Sequence, residues 1–248
     1  MTETRSGGGD GHGLDATSVR TIFFDFDGTL VFHEPDSFEI ISRFCTDIGQ
    51  PLSSDAEREG RRMRHQYFVD PLIREELDGL SRDEFYRHFN RYLLEALRIE
   101  GDVEQLAAQL TGRFGDIQLT YHCPEAGCRT LTELRRRGYE LGLITNRENV
   151  ARFRELLQAM GLGSHFDLVL ASGEVGIRKP EAGIFYAALD RAGAEPARSI
   201  YVGDNYWADV VGARNADITP VLYDPYGLFP EADCRILFSM DELLAWLS

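Results

Sequence analysis

Cysteine is scarce in this 248-residue chain, which carries only Cys45, Cys123, Cys128 and Cys234. That excludes a disulfide scaffold, and the Cys123/Cys128 spacing lacks the paired second cluster of a zinc site, so the four read as reduced structural thiols. Long apolar runs are missing as well. No stretch approaches the roughly 20 continuous apolar residues needed to cross a bilayer, and the Gly-rich, polar stretch 1–18 reads as a disordered tail and not as a secretory signal. Positive charge is also in short supply: 26 Lys plus Arg face 41 Asp plus Glu, a net charge of −15. Such a balance argues against a nucleic-acid-binding surface and against adhesion to anionic membrane. The expectation is a cytoplasmic protein with no nucleic-acid or membrane partner, in which an anionic substrate needs local cations. Composition leaves monomer and homodimer open.

What is there begins with the apolar run Thr21-Ile22-Phe23-Phe24, which leads straight into Asp25-Phe26-Asp27-Gly28-Thr29-Leu30. A short continuous apolar run reads as a strand buried on both faces, and ligands in open parallel sheets collect beyond the carboxyl ends of the strands. Asp25 and Asp27, two apart along extended chain, point the same way while Phe26 packs oppositely. Taken alone, the segment is equally an acidic turn; the rest of the chain tips the balance.

From Gly138 onward strands and helices alternate: a strand over 139–145, a helix over 148–160, a strand over 166–172, a helix over 181–192 and a strand over 199–204. A helix over 207–216, a fifth strand over 219–224 and a terminal helix over 239–247, opened by a capping box Ser239/Glu242, complete the pattern. Alternation of this kind predicts an α/β fold built on a doubly wound parallel sheet, Rossmann-like, of five strands. The interval between the first two strands far exceeds the dozen or so residues that a crossover requires. It carries capping boxes at Ser54/Glu57 and Ser81/Glu84 and a helical repeat over Phe85, Phe89, Leu93, Ala96 and Leu97. We therefore expect a core of 19–34 and 120–248 with an inserted α-helical cap domain over 35–119, placed to close over the carboxylates and exclude water.

Three further strand ends carry complementary chemistry. Thr145-Asn146 closes an apolar strand ahead of a helix, where a hydroxyl and free backbone N–H groups bind anionic oxygens or simply cap the helix. Lys179-Pro180 stands before another helix, with Pro180 at its first position. Gly203-Asp204-Asn205 ends a strand, and Asp209 follows early in the next helix. Asp25, Asp27, Asp204 and Asp209 repel one another without a cation, and an oxygen-only cluster with open water positions suits Mg²⁺.

DxDGTL at 25–30, TN at Thr145, KP at Lys179 and GDNxxxD at 203–209, in that order, resemble the four motifs of the haloacid dehalogenase superfamily, and the insertion resembles its first class of helical cap. Most members with the second Asp are phosphatases, whereas the true haloacid dehalogenases lack it. The resemblance implies a Mg²⁺-dependent phosphatase acting on a small phosphorylated metabolite, with Asp25 as the nucleophile that forms an aspartyl phosphate. It makes Asp27 the general acid and base and Lys179 the cation beside the phosphoryl group. Thr145 and Asn146 would hold phosphoryl oxygens. The metal ligands it implies are Asp25, the Asp27 backbone carbonyl, Asp204 and Asp209.

Arg147 departs from the family, because a small residue commonly follows the Thr-Asn pair; its side chain either contacts a substrate anion or leaves for solvent. In the cap, Arg58, Arg62 and His65 share a helical face, flanked by Arg61 and Arg64. The plain reading of this stripe is a solvated face, the sharper one a landing place for a second anionic group. The presumed cap contains no lysine. A sugar phosphomutase of the same superfamily is the main alternative, and a non-catalytic binding module a lesser one.

Overall fold

The computed structural model describes residues 16–67, 70, 73 and 80–248. Most of the expected tail lies outside the described residues, but Ala16–Ser18, its last three, form a single 3₁₀ turn. A six-stranded, all-parallel sheet follows, built from β1 (Thr21–Phe24), β4 (Glu140–Thr145), β5 (Leu168–Ala171), β6 (Ser199–Gly203), β7 (Thr219–Tyr223) and β8 (Arg235–Leu237). Its strand order is β5-β4-β1-β6-β7-β8, so the chain winds outward in both directions from β1. Five strands were expected; the sixth, β8, is only three residues long and has one buried position, Leu237, too little to register as an apolar run.

Both sheet faces are covered, which is why the central strands read as unbroken apolar runs. Ile22, Phe24, Leu141, Leu143, Ile200 and Val202 pack on one face with Leu131, Leu134, Phe153, Leu157 and Leu243. These last come from α5 (Glu125–Arg136), α6 (Val150–Ala159) and α8 (Asp241–Trp246). Phe23, Ile144 and Tyr201 face the other way, onto Ile184, Phe185, Ala188 and Leu189 of α7 (Ala182–Ala192). Alternation by one residue thus sends Tyr201 to the α7 side.

Between β1 and β4 the chain leaves the sheet through a two-stranded antiparallel ribbon, β2 (Phe32–Glu34) against β3 (Thr120–His122). Beyond it lie α1 (Ser37–Asp47), α2 (Ser54–Tyr67), α3 (Arg82–Ala96) and α4 (Val103–Asp116). They bury a core of their own, including Phe38, Phe44, Tyr67, Phe89, Leu93 and Leu110. The expected capping box Ser81/Glu84 is present, with the Glu84 N–H donating to Ser81 Oγ and the Ser81 N–H to Glu84 Oε2. Two others are not. Ser53 and not Ser54 caps α2, accepting from the Ala56 N–H, and Glu242 accepts from Phe238 N while Ser239 offers only its carbonyl. No helix among the described residues is long and apolar enough to cross a membrane.

Candidate active site

Register brings three strand ends to one rim. Phe24 lies level with Leu143 and with Val202, so Asp25, Thr145 and Asp204, at or just past their strand ends, lie along one edge; Lys179 arrives on the loop between β5 and α7. The Asp25 N–H donates to the Val202 carbonyl at 2.9 Å, which carries the strand pairing one residue further and fixes the backbone of the first carboxylate. Gly28 then turns the chain away at φ +79°, where L side chains are strained.

Lys179 stands at the centre and is only 3% exposed. Its ammonium donates to Asp25 Oδ1 at 2.6 Å, Asp209 Oδ1 at 2.7 Å and Tyr201 Oη at 2.8 Å. Three protons meet three acceptors, so the group is fully satisfied. The Tyr201 hydroxyl passes its own proton to the Ile144 carbonyl at 3.1 Å. Burial works against the ammonium, yet Asp209 and Asp25 more than offset it and hold the lysine charged, its pKa above the ordinary value.

The carboxylates form a tight group. Asp25, Asp204 and Asp209 each place an oxygen within 4.8 Å of the others. Burial, only partly countered by Lys179, pushes Asp25 up to about 7. Asp204 is also raised, by burial first and then by the charges of Asp25 and Asp209. One ammonium among three carboxylates leaves two negative charges in excess, a quantity that a divalent cation with oxygen ligands matches. The donor set therefore fits Mg²⁺.

Two of the acids are held by close surroundings. Asp204 Oδ1 accepts from Thr29 Oγ1 at 3.3 Å, and a Cβ on Gly28 would lie 2.4 Å from Asp204 Oδ2. Asp209, 1% exposed, sits in a π-helical turn, Tyr206–Val211, where an ordinary α-helix was expected. Its Oδ2 accepts from the Asn205 N–H at 2.9 Å. The wider turn brings the carboxylate back over the strand end, against Gly203, where a Cβ would meet Asp209 Cγ at 2.4 Å.

Asp27 is not part of the carboxylate group. Arg147 grips it with a bidentate fork, Nε to Oδ2 at 2.8 Å and Nη2 to Oδ1 at 2.6 Å, while its guanidinium lies 5.3 Å from the Phe26 ring and 5.7 Å from that of Tyr121. In the structure the Arg147 side chain goes to Asp27. The helix expected directly after Thr145 and Asn146 begins later than expected. The helix after them starts at Val150, capped by Asn149, so the pair lies ahead of the first turn. Asn146 instead braces the lysine loop, accepting from the Lys179 N–H at 2.8 Å and donating to its carbonyl at 3.0 Å. Pro180 likewise falls before the N-cap Glu181 of α7, not at its first position.

The model of the haloacid dehalogenase-like hydrolases matches residues 19–217. The chain belongs to this family. Among curated relatives, a glyceraldehyde 3-phosphate phosphatase of Methanothermobacter thermautotrophicus is 29% identical, over 82% of this chain and 85% of that one. A ribulose-1,5-bisphosphate 5-phosphatase of Halopiger xanaduensis is 34% identical, over 82% and 84%. The crystal structure of a HAD phosphatase from Thermococcus onnurineus aligns at a TM-score of 0.55 over 93% of this chain and 98% of that one; at 22% identity it speaks to the fold.

Membership makes the chain a hydrolase, and in this hydrolase the motif residues do not act alone. Tyr201 went unread because a tyrosine inside an apolar strand looks like core, and its place level with Phe23, on the α7 side, shows only in the structure. Nor did the sequence disclose that Asn205 ties the rim to the cap, its Nδ2 donating to the His65 carbonyl at 3.1 Å. His65 Nδ1 lies 3.9 Å from Asp204 Oδ2. Burial, followed by the charges of Arg64 and Arg61, drives its pKa down to about 3, so it stands there as a neutral imidazole.

Proposed function

We propose that the protein is a Mg²⁺-dependent phosphatase that hydrolyses a small phosphomonoester through an aspartyl phosphate on Asp25. The observation that carries the reading is the Asp25 carboxylate at a strand end, bonded to a buried lysine and grouped with Asp204 and Asp209. The phosphatase names of the relatives support it. Asp25 would attack phosphorus in line, forming the carboxyl–phosphoryl bond as the ester oxygen leaves. Asp27 would supply the proton to the leaving alcohol and later take one from the hydrolytic water, roles typically worth about 10²–10⁴-fold in rate. Lys179 would orient Asp25 and balance charge on the phosphoryl group, and Thr145 would hold one of its oxygens. Asp25, Asp204 and Asp209, with the Asp27 carbonyl, would hold Mg²⁺, which when bound neutralises developing phosphoryl charge.

The core of 19–34 and 120–248 and the cap of 35–119 belong to the same reading, with the ribbon β2–β3 as the joint between them. A cytoplasmic setting goes with the free thiols of Cys45, Cys123, Cys128 and Cys234. The test is release of phosphate from p-nitrophenyl phosphate with Mg²⁺, abolished by chelation and by Asp25→Asn. Turnover that survives both treatments defeats the mechanism, and isomerisation of a sugar phosphate without phosphate release would assign the site to a mutase.

A further inference from the structure

Strand alternation puts Tyr201 on the α7 side of the sheet, between Ile200 and Val202, which face the opposite layer. Its neighbours on that side, Phe23 and Ile144, are hydrocarbon, and the space around its ring is core: Tyr201 is fully buried and meets Phe185 of α7 edge-on at 5.1 Å. An aliphatic or phenyl side chain would fill such a place without the cost of burying a hydroxyl. The hydroxyl is nevertheless satisfied twice. It accepts from the Lys179 ammonium at 2.8 Å and donates to the Ile144 carbonyl at 3.1 Å, so a lone pair and the proton each find a partner. Because β1 lies between β6 and β4, the ring carries a hydrogen-bonded link across the central strand.

Both ends of Lys179 are thereby tied to one place. Asn146 accepts from its backbone N–H and donates to its carbonyl, while Tyr201 joins its ammonium to Ile144, two residues before Asn146. Of the three acceptors around the ammonium, Tyr201 is unlike the other two. In the proposed reaction Asp25 would lose its negative charge when its oxygen becomes bonded to phosphorus, and Asp209 would be shared with the cation, so both carboxylates become weaker acceptors as the reaction runs. The Tyr201 hydroxyl takes part in neither event. A lysine stem is flexible, whereas the tyrosine ring is held by the core around it.

We infer that Tyr201 is the positioning residue of Lys179: it is the acceptor that stays in place while Asp25 and Asp209 change partners, and it keeps the ammonium directed at Asp25 through both halves of the reaction. This deepens the phosphatase reading and, as a statement about turnover, rests on it; the hydrogen bond itself is there with or without a reaction.

Lys179 is the only lysine of the chain, so protein labelled with ¹⁵N at the lysine Nζ gives a single ammonium resonance. In the wild type this signal should be sharp and exchange slowly with water, and in Tyr201→Phe it should broaden or vanish, because one of the three protons then lacks its acceptor. In the same variant kcat for p-nitrophenyl phosphate with Mg²⁺ should fall about tenfold, the weight of one hydrogen bond to a charged group, at a nearly unchanged KM, since the hydroxyl touches no substrate. Phe185→Leu is the control. It loosens the ring and keeps the hydroxyl, so it should lower Tm and leave the signal and kcat close to those of the wild type. An unchanged ammonium signal or an unchanged kcat in Tyr201→Phe overturns the assignment, and so does an equal loss of kcat in Phe185→Leu, which would put the effect in the packing. A wild-type ammonium that exchanges as fast as a solvated lysine overturns it without any variant. Because the signal requires no turnover, the two readings fail separately. A Tyr201-dependent signal in a protein that releases no phosphate upholds the hold on Lys179 and defeats the phosphatase; phosphate release with wild-type kcat in Tyr201→Phe does the reverse.

Discussion

Lys179 and Arg147 each bind one of the aspartates that flank Phe26, and they do so in opposite ways. Lys179 is buried, and its three protons go to three different oxygens, just past β1, on β6 and in the π-helical turn. Arg147 lies at the rim, 24% exposed, and gives two parallel bonds to one carboxylate that is itself 48% exposed. Lys179 is the only lysine among the 26 basic residues of the chain. Where acceptors converge from three directions in a closed space, a compact ammonium fits and a planar fork does not; where one carboxylate stands open to solvent, the fork is the better match. A chain that meets nearly every need for positive charge with arginine has a lysine at the one place where arginine's shape is wrong.

The largest expected effect breaks that comparison at its buried end. Lys179→Met leaves Asp25 and Asp209 facing each other in the interior without their cation. Removing one partner of a buried pair typically costs about 3–5 kcal/mol, and removing one preorganised charge from a site of this kind typically costs about 10²–10³ in kcat. Lys179→Arg should recover neither, because the cavity is bounded by Asp25, Asp209 and Tyr201 at hydrogen-bond distance. Thermal melting and p-nitrophenyl phosphate turnover check both variants. An active, stable Lys179→Arg protein would show that charge alone suffices and would end the argument from shape.

The buried end was also the legible one. Apolar runs ending in Asp25, Thr145 and Asp204 announced their strand ends, because burial on both sheet faces leaves an unmistakable pattern, and a carboxylate at such an end has few structural uses. The cap's helical character was equally open, through the repeat from Phe85 to Leu97 and the capping box Ser81/Glu84. What stayed hidden was pairing across long sequence separations. Nothing near Arg147 signals that its partner is Asp27, 120 residues earlier, and nothing in Tyr201 distinguishes a hydroxyl that serves Lys179 from a core ring. β8 was missed because three residues with one buried side chain carry too little pattern. The π-helical turn was missed because its extra residue per turn changes no residue type.

Glycine sharpens the same contrast at intermediate magnitude. The interior acids are held by crowding, so a single methyl group should disturb them. Gly28→Ala puts a Cβ 2.4 Å from Asp204 Oδ2 at a backbone φ of +79°, where both the contact and the backbone resist. Strained backbone of this type costs on the order of 1–3 kcal/mol. The displaced carboxylate should raise the Mg²⁺ concentration needed for half-maximal activity far more than it changes KM for the ester. A metal titration of the variant measures this directly, and an unchanged Mg²⁺ requirement would remove Asp204 from the cation-binding group.

The smallest effect belongs to the rim. Because the Arg147–Asp27 pair is partly solvated, Arg147→Ser should cost about 1 kcal/mol or less, a Tm change within about 4 °C for a protein of this size. Its consequence for turnover runs the other way from that of Lys179. Both oxygens of Asp27 are taken by the fork, so in the proposed mechanism the carboxyl that would serve the leaving group would first have to leave Arg147; with serine there, it would be free to turn inward. We expect kcat for an alkyl phosphate, whose leaving group needs a proton, to rise a few-fold, while that for p-nitrophenyl phosphate, whose leaving group needs none, changes less. Equal changes for the two esters would mean that the fork does not restrain Asp27 in proton transfer, and a fall for the alkyl ester alone would mean that Arg147 positions the acid for its work and does not hold it back.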